Sequence, residues 1–301
     1  MADLRQVRAT NLSGPQDRRL QTGSTLELNA RVRKRSELPV ALTIAGSDSG
    51  AGAGIQADLK TFAALGVHGT SAITCVTAQN PKRVIGIEAC SAKIVRAQIE
   101  AVFEELRPAA VKTGMLFSAE IIRAVARWFS RERRCPLIVD PVMIATSGAK
   151  LLEVNAITAL TRDLFPLATL VTPNVPEAEA LLGISIREPE QLRQAARTIH
   201  ERFGCAALVK GGHLQNTSAA IDVFYNGEVE LLLSSPRVLG VNTHGTGCSY
   251  SAAITAHLAR GKKLERAVRL AKEFITRAIV TSRRVGKHDV LNQTAPPWQQ
   301  T

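Results

Sequence analysis

A chain of 301 residues is long enough for one large α/β domain or two small ones, and 45% hydrophobic with 21% charged residues is a globular balance. No apolar run nears the roughly 18 residues of a membrane span, so no membrane partner is expected. The five cysteines (Cys75, Cys90, Cys135, Cys205, Cys248) are scattered without a CxxC pair, which argues against a disulfide framework and makes the cytoplasm the expected location.

The net charge of +12 is concentrated at the ends: residues 1–38 hold eight bases against four acids, and residues 257–290 hold ten against three. Aromatic residues make up only 4% of the chain. Without interleaved rings a basic surface lacks the stacking platform of a nucleic-acid binder, and no nucleic-acid partner is expected. Residues 1–38 are polar and aperiodic, and read as a disordered basic extension. Their four acids weaken a transit-peptide reading.

Order begins at Pro39–Ala45, an apolar strand that runs into a glycine-rich turn, Gly46–Gly54, and a helix over 55–65. Strand signals recur at 69–76, 109–112, 136–140, 170–172 and 206–210, with helical periodicity at 94–106, 119–129, after Glu177 and at 192–203. Asn226-Gly227 between 221–225 and 229–233 predicts a hairpin. Two helices follow, over about 246–260 and 264–284. The domain is expected to span 39–290, with a flexible tail over 291–301. Repeated βα units imply a mainly parallel sheet with helices on both faces, and such sheets bind ligands beyond the carboxyl ends of their strands. Gly46–Gly54, Gly114, Asp140, Asn174 and Lys210-Gly211-Gly212 all fall there.

The most informative stretch is Val241-Asn242-Thr243-His244-Gly245-Thr246-Gly247-Cys248-Ser249. Two glycines around Thr246 open a helix, where backbone N–H groups lack partners and the dipole is positive, a setting for an anion. The alternative is an ordinary glycine-bearing helix entry. Cys248 in that first turn is expected to have its thiolate favoured by the dipole, below the free value of about 8.5. GxxxxGK[ST] does not occur, which excludes the P-loop class, and without GxGxxG a dinucleotide enzyme is not expected. Other polar residues have two readings each. Asp48 and Asp58 suit helix or turn caps. Gln79 suits loop hydrogen bonding. Asn174 and Glu177 form a capping box or stand in the outer coordination of Mg²⁺. Lys210 is a surface lysine or a phosphate contact.

Ala45-Gly46-Ser47-Asp48, Gly52-Ala53-Gly54-Ile55-Gln56-Ala57-Asp58-Leu59-Lys60, Ala78-Gln79-Asn80, Lys112-Thr113-Gly114-Met115-Leu116, Asp140-Pro141-Val142-Met143, Thr172-Pro173-Asn174-Val175-Pro176-Glu177, Lys210-Gly211-Gly212-His213 and Thr243–Cys248 occur in that order. Together they resemble the hydroxymethylpyrimidine/phosphomethylpyrimidine kinase family of thiamine biosynthesis, over about residues 40–285. The resemblance implies a ribokinase-like fold and two ATP-dependent phosphorylations of 4-amino-5-hydroxymethyl-2-methylpyrimidine, with Mg²⁺ and a homodimer. It implies that Gln79, Gly46, Asp58 and Met115 surround the pyrimidine. Gly245, Thr246, Gly247 and Cys248 would form the anion hole, with Cys248 in the place of a catalytic base. Asn174, Asp140 and Lys210 would serve the nucleotide phosphates, and Glu177 the metal. The chain departs from the family at Gly50-Ala51 and at Ser249-Tyr250. A pyridoxal kinase of the same fold and a non-enzymatic pyrimidine-binding protein are the rival readings.

Overall fold

Short strands with apolar side chains on both faces form the middle of the molecule, seen in a computed structural model that describes residues 37–132, 135–143, 154–212, 214, 218–241 and 244–295. Residues 1–36 of the expected basic extension lie outside the described residues, as do His213 and the pair Asn242-Thr243. From Leu38 onward the chain is one compact unit.

The elements follow in chain order as β1 (Val40–Asp48), α1 (Gly54–Ala64), β2 (His68–Asn80), β3 (Arg83–Ala89), α2 (Ala92–Glu105), β4 (Ala110–Thr113), α3 (Ala119–Phe129) and β5 (Leu137–Val139). Then come α4 (Val154–Ala159), β6 (Leu170–Val171), α5 (Val175–Leu182), α6 (Pro189–Phe203), β7 (Ala206–Lys210), β8 (Ala219–Tyr225) and β9 (Glu230–Pro236). The chain ends with α7 (Thr246–Ala259), α8 (Leu264–Val280), β10 (Arg283–Val285) and β11 (His288–Val290).

One nine-stranded sheet has the order β3-β2-β1-β4-β5-β6-β7-β8-β9. β2 through β7 run parallel in the middle, while β3, β8 and β9 are antiparallel additions at the two edges. In β5, Leu137 and Val139 pack among α3 and α6 on one face, and Ile138 packs with α7 and α8 on the other. Burial on both faces explains why the central strands are unbroken apolar runs rather than alternating ones. α2, α3, α5 and α6 cover the first face; α1, α7 and α8 cover the second. The mainly parallel α/β architecture expected from the sequence is therefore the one observed.

Three local differences have physical causes. β2 runs on to Asn80, because its end pairs with β3, an edge strand exposed along much of its length. α8 stops at Val280, and the rest of the expected helix turns into the β10–β11 hairpin. Residues 291–295, expected as tail, are packed: Leu291 joins the core of the α7–α8 face, and Gln293 Nε2 reaches Ser249 Oγ at 3.4 Å.

α8 is tied to the sheet by a buried ion pair. Lys272 Nζ donates to Asp222 Oδ2 at 2.8 Å and to the Ala220 carbonyl at 3.0 Å, while the Gly211 N–H donates to Asp222 Oδ1 at 3.0 Å. Removing one partner strands the other charge away from water, which costs about 3–5 kcal/mol. Lys272→Ala is expected to lower the unfolding free energy by about that amount in urea melts. The double change Lys272→Met with Asp222→Leu is expected to recover most of the loss, and a double variant as unstable as the single one contradicts this account.

Candidate active site

The carboxyl ends of β1, β2, β4, β5 and β7 and the start of α5 meet the N-termini of α1 and α7 around one cavity of about 460 Å³. Gly46, Gln79, Met115, Asp140, Asn174, Glu177, Lys210 and Gly245–Cys248 all line it. Asp58 does not line it. Its side chain is fully buried behind the wall, where it accepts from Lys112 Nζ at 2.6 Å and from Thr43 Oγ1 at 2.7 Å. The place given to Asp58 beside the pyrimidine is thus corrected: it reaches the cavity through Lys112, which does line it.

The glycine bend is shaped by close approach. Gly245 sits at φ 80°, and a Cβ there would collide with the Gly52 carbonyl, so the turn after β1 and the start of α7 are pressed together. A Cβ on Gly247 would lie 3.1 Å from Lys210 Nζ. Positive charge, bare amides and the positive end of a 14-residue helix therefore share one spot. Thr246 Oγ1 is buried there and has no hydrogen-bond partner among the described residues. On the opposite side, Gly46 leaves room for Cys75 Sγ, which would stand 2.7 Å from any Cβ at that position.

Three acids and two lysines from different elements lie behind this spot. Lys210 Nζ donates to Asp140 Oδ1 at 2.9 Å, and Lys112 to Asp58 as described. Asp140 also accepts from Thr172 Oγ1 at 3.0 Å and from Ser251 Oγ at 3.3 Å. Burial works against its charge, but Lys210 and Lys112 outweigh burial and hold its carboxyl below the ordinary range. Burial raises Glu177 instead, against the pull of Lys210 and with Asp140 adding to the rise. Burial opposes the charge on Lys112 too, yet Asp58 and Asp140 keep it protonated.

Asn174 and Glu177 satisfy the capping-box reading in full: Asn174 Oδ1 accepts from the Glu177 N–H and Glu177 Oε2 from the Asn174 N–H, both at 2.9 Å. They cap α5 and line the cavity at once, so the two readings do not compete.

Cys248 departs from expectation. Burial pushes its thiol up to about 11; Lys112 and the Gly54 N–H pull down, and Asp58 and Asp140 push up. The helix terminus is legible in sequence, but the desolvation that overrides it arises only when α7 packs on the sheet.

Several cavity residues, among them Lys112, His244 and Asp48 of the quoted motifs, have no role assigned by the resemblance. Lys112 sits in an apolar strand and looks like any strand-end lysine. His244 lies 3.5 Å from Asp48 Oδ2 and 3.4 Å from Gln79 Nε2. Asp48 caps its own turn, accepting from the N–H groups of Gly50, Gly52 and Ala53. Asp222, Lys272, Tyr250 and Arg237 extend the cavity toward α8.

The family model described as phosphomethylpyrimidine kinase matches residues 48–292. A hydroxymethylpyrimidine/phosphomethylpyrimidine kinase of Haemophilus influenzae is 47% identical over 255 residues, 84% of this chain and 95% of that protein. A bifunctional thiamine biosynthesis protein of Geobacter sulfurreducens is 48% identical over 246 residues; the match covers 82% of this chain and only 50% of that longer protein. Among solved structures, the ADP complex of Bacillus subtilis pyridoxal kinase superposes with a TM-score of 0.80 at 36% identity, covering 86% of this chain and 98% of that one. The ordered motifs, the ribokinase-like sheet and the glycine bend at its ligand-binding rim agree with these likenesses, and the chain belongs to the phosphomethylpyrimidine kinase family.

Proposed function

We propose that this chain transfers the γ-phosphoryl group of ATP to the hydroxymethyl oxygen of 4-amino-5-hydroxymethyl-2-methylpyrimidine, and a second to the resulting monophosphate, in thiamine biosynthesis. The observation that carries the reading is that Cys248, in the first turn of α7, lines the same cavity as Gln79 and Lys210. Gln79, Gly46 and Met115 hold the ring. The amides of Gly245–Cys248 and the Lys210 ammonium face the charge that collects on the transferred oxygens. Cys248 is a thiol at neutral pH, so it serves first as a hydrogen-bonding guide for the hydroxymethyl oxygen. Lys112 favours the thiolate that can take the proton. A loose transition state makes little demand on that base, and positioning dominates.

Mg²⁺ suits this cavity as a water-bound ion. Each carboxylate oxygen of Asp140 and Glu177 already accepts a hydrogen bond, while the buried cluster has one acid more than it has lysines. Asp140 and Glu177 would hold the ion through its waters, with Asn174 beside them. When bound, the ion supplies neutralising charge for the donor's phosphates. The homodimer and the cytoplasmic location belong to this proposal, supported by the family resemblance; light scattering on the purified chain checks the first. No helix among the described residues is long and apolar enough to cross a membrane.

ATP turnover measured with the pyrimidine and, separately, with pyridoxal tests the assignment. A larger kcat/KM for the pyrimidine is expected; preference for pyridoxal would replace the reading with that of a pyridoxal kinase. Cys248→Ala is expected to lower kcat by about 10²–10⁴-fold while the pyrimidine Kd changes little. Cys248→Ser is expected to affect the two phosphorylations unequally, because a monophosphate acceptor needs no deprotonation. Since burial pushes the Cys248 thiol up to about 11, its thiolate gathers only as pH rises toward that value. At pH 8, iodoacetamide is expected to modify it about a hundredfold more slowly than an unshifted thiol, read by peptide mass mapping.

A further inference from the structure

The amide of Gln79 lies between two neighbours whose hydrogens can be counted. Thr77 Oγ1 is 2.9 Å from the Ser47 carbonyl oxygen and 3.3 Å from Gln79 Oε1. A hydroxyl has one hydrogen, and the shorter contact, to an oxygen that can only accept, takes it. Toward Gln79, Thr77 can then only accept.

On the other side, His244 Nε2 is 3.4 Å from Gln79 Nε2 and 3.5 Å from Asp48 Oδ2. Burial raises Asp48, but His244 and the Ala53 and Gly50 N–H groups outweigh it and keep the group a carboxylate. A carboxylate only accepts. The His244 nitrogen facing it therefore carries a hydrogen and cannot accept one from Gln79.

Amide oxygen and nitrogen have nearly the same shape, so the network decides their order. Nitrogen toward His244 would set donor against donor there and acceptor against acceptor at Thr77. Reversal repairs both contacts: Gln79 Nε2 donates to Thr77, and His244 shares its N–H between Asp48 and Gln79 Oε1. We propose that His244, seated on Asp48, is a positioning residue that locks the Gln79 carbonyl toward the glycine bend and so selects a ring edge whose donor lies nearest that bend.

The inference rests on the pyrimidine reading above. Along the edge of that ring stand N3, an acceptor, then the 4-amino donor, then the 5-hydroxymethyl group. Paired with the locked amide, the hydroxymethyl group falls on the His244 side, where Gly245–Cys248 follow directly in the chain. The reversed amide would turn it toward Thr77. The same lock rejects a 4-oxo ring, whose N3 carries hydrogen and whose C4 oxygen accepts.

Calorimetric binding of the 4-amino ring and its 4-oxo counterpart tests this. The unaltered protein is expected to favour the 4-amino ring at least about a hundredfold. His244→Ala is expected to narrow that preference at least about tenfold, and Thr77→Val, acting from the other side of the amide, to narrow it too. In a Gln79→Ala background the preference is expected to be gone, with no further change on adding His244→Ala. An unchanged preference in both single variants, equal weakening of both rings, or a further loss in the Gln79→Ala background overturns the lock. If the unaltered protein binds the 4-amino ring without preference, the lock alone fails; if it binds neither ring, the pyrimidine reading fails with it.

Discussion

Charges of alternating kind occupy a dry seam between the sheet and its helices: Asp58, Lys112, Asp140, Lys210 and Glu177. They come from α1, β4, the end of β5, the end of β7 and α5, so the seam closes only when those elements reach their native register. Taking each ion out of water costs several kcal/mol even after relaxation. An apolar seam of the same volume would be the more stable choice. What the charges provide is a set of dipoles and ions already oriented before a phosphate arrives, in a setting where electrostatics is weakly screened.

The glycine bend depends on this seam as well as on its own helix. Lys210 stands where a side chain on Gly247 would be, and Gly245 yields to the Gly52 carbonyl. One turn is thus pinned by β7 from one side and by the loop after β1 from the other. Bare amides in a loop would relax into local hydrogen bonds; here the packing holds them toward the cavity.

What could be read from the chain alone follows from how local each signal is. The strand ends, the glycine bend and the Asn174–Glu177 box are written in consecutive residues, and the parallel sheet follows from their repetition. Cys248 was legible as a helix-terminal thiol, but its proton affinity depends on burial contributed by residues far away in sequence. Asp58 sits in a motif with Gly54 and Gln56, which suggested a place on the cavity wall; only the fold reveals that Lys112 stands between. His244 was visible as a letter, while its bond to Asp48 spans almost 200 positions. β3 carries Val84, Ile85 and Ile87, but its pairing with the end of β2 shows only in the fold.

The segment Leu291–Ala295 packs behind the N-terminal end of α7. Through Gln293 it touches Ser249, the residue after Cys248, and through the Ala295 carbonyl it accepts from Arg277 on α8. The first turn of α7 is therefore buttressed by a segment that follows α8 and the β10–β11 hairpin. A chain cut after α8 would hold every residue that lines the cavity, up to Ile279, and lack the brace behind Ser249.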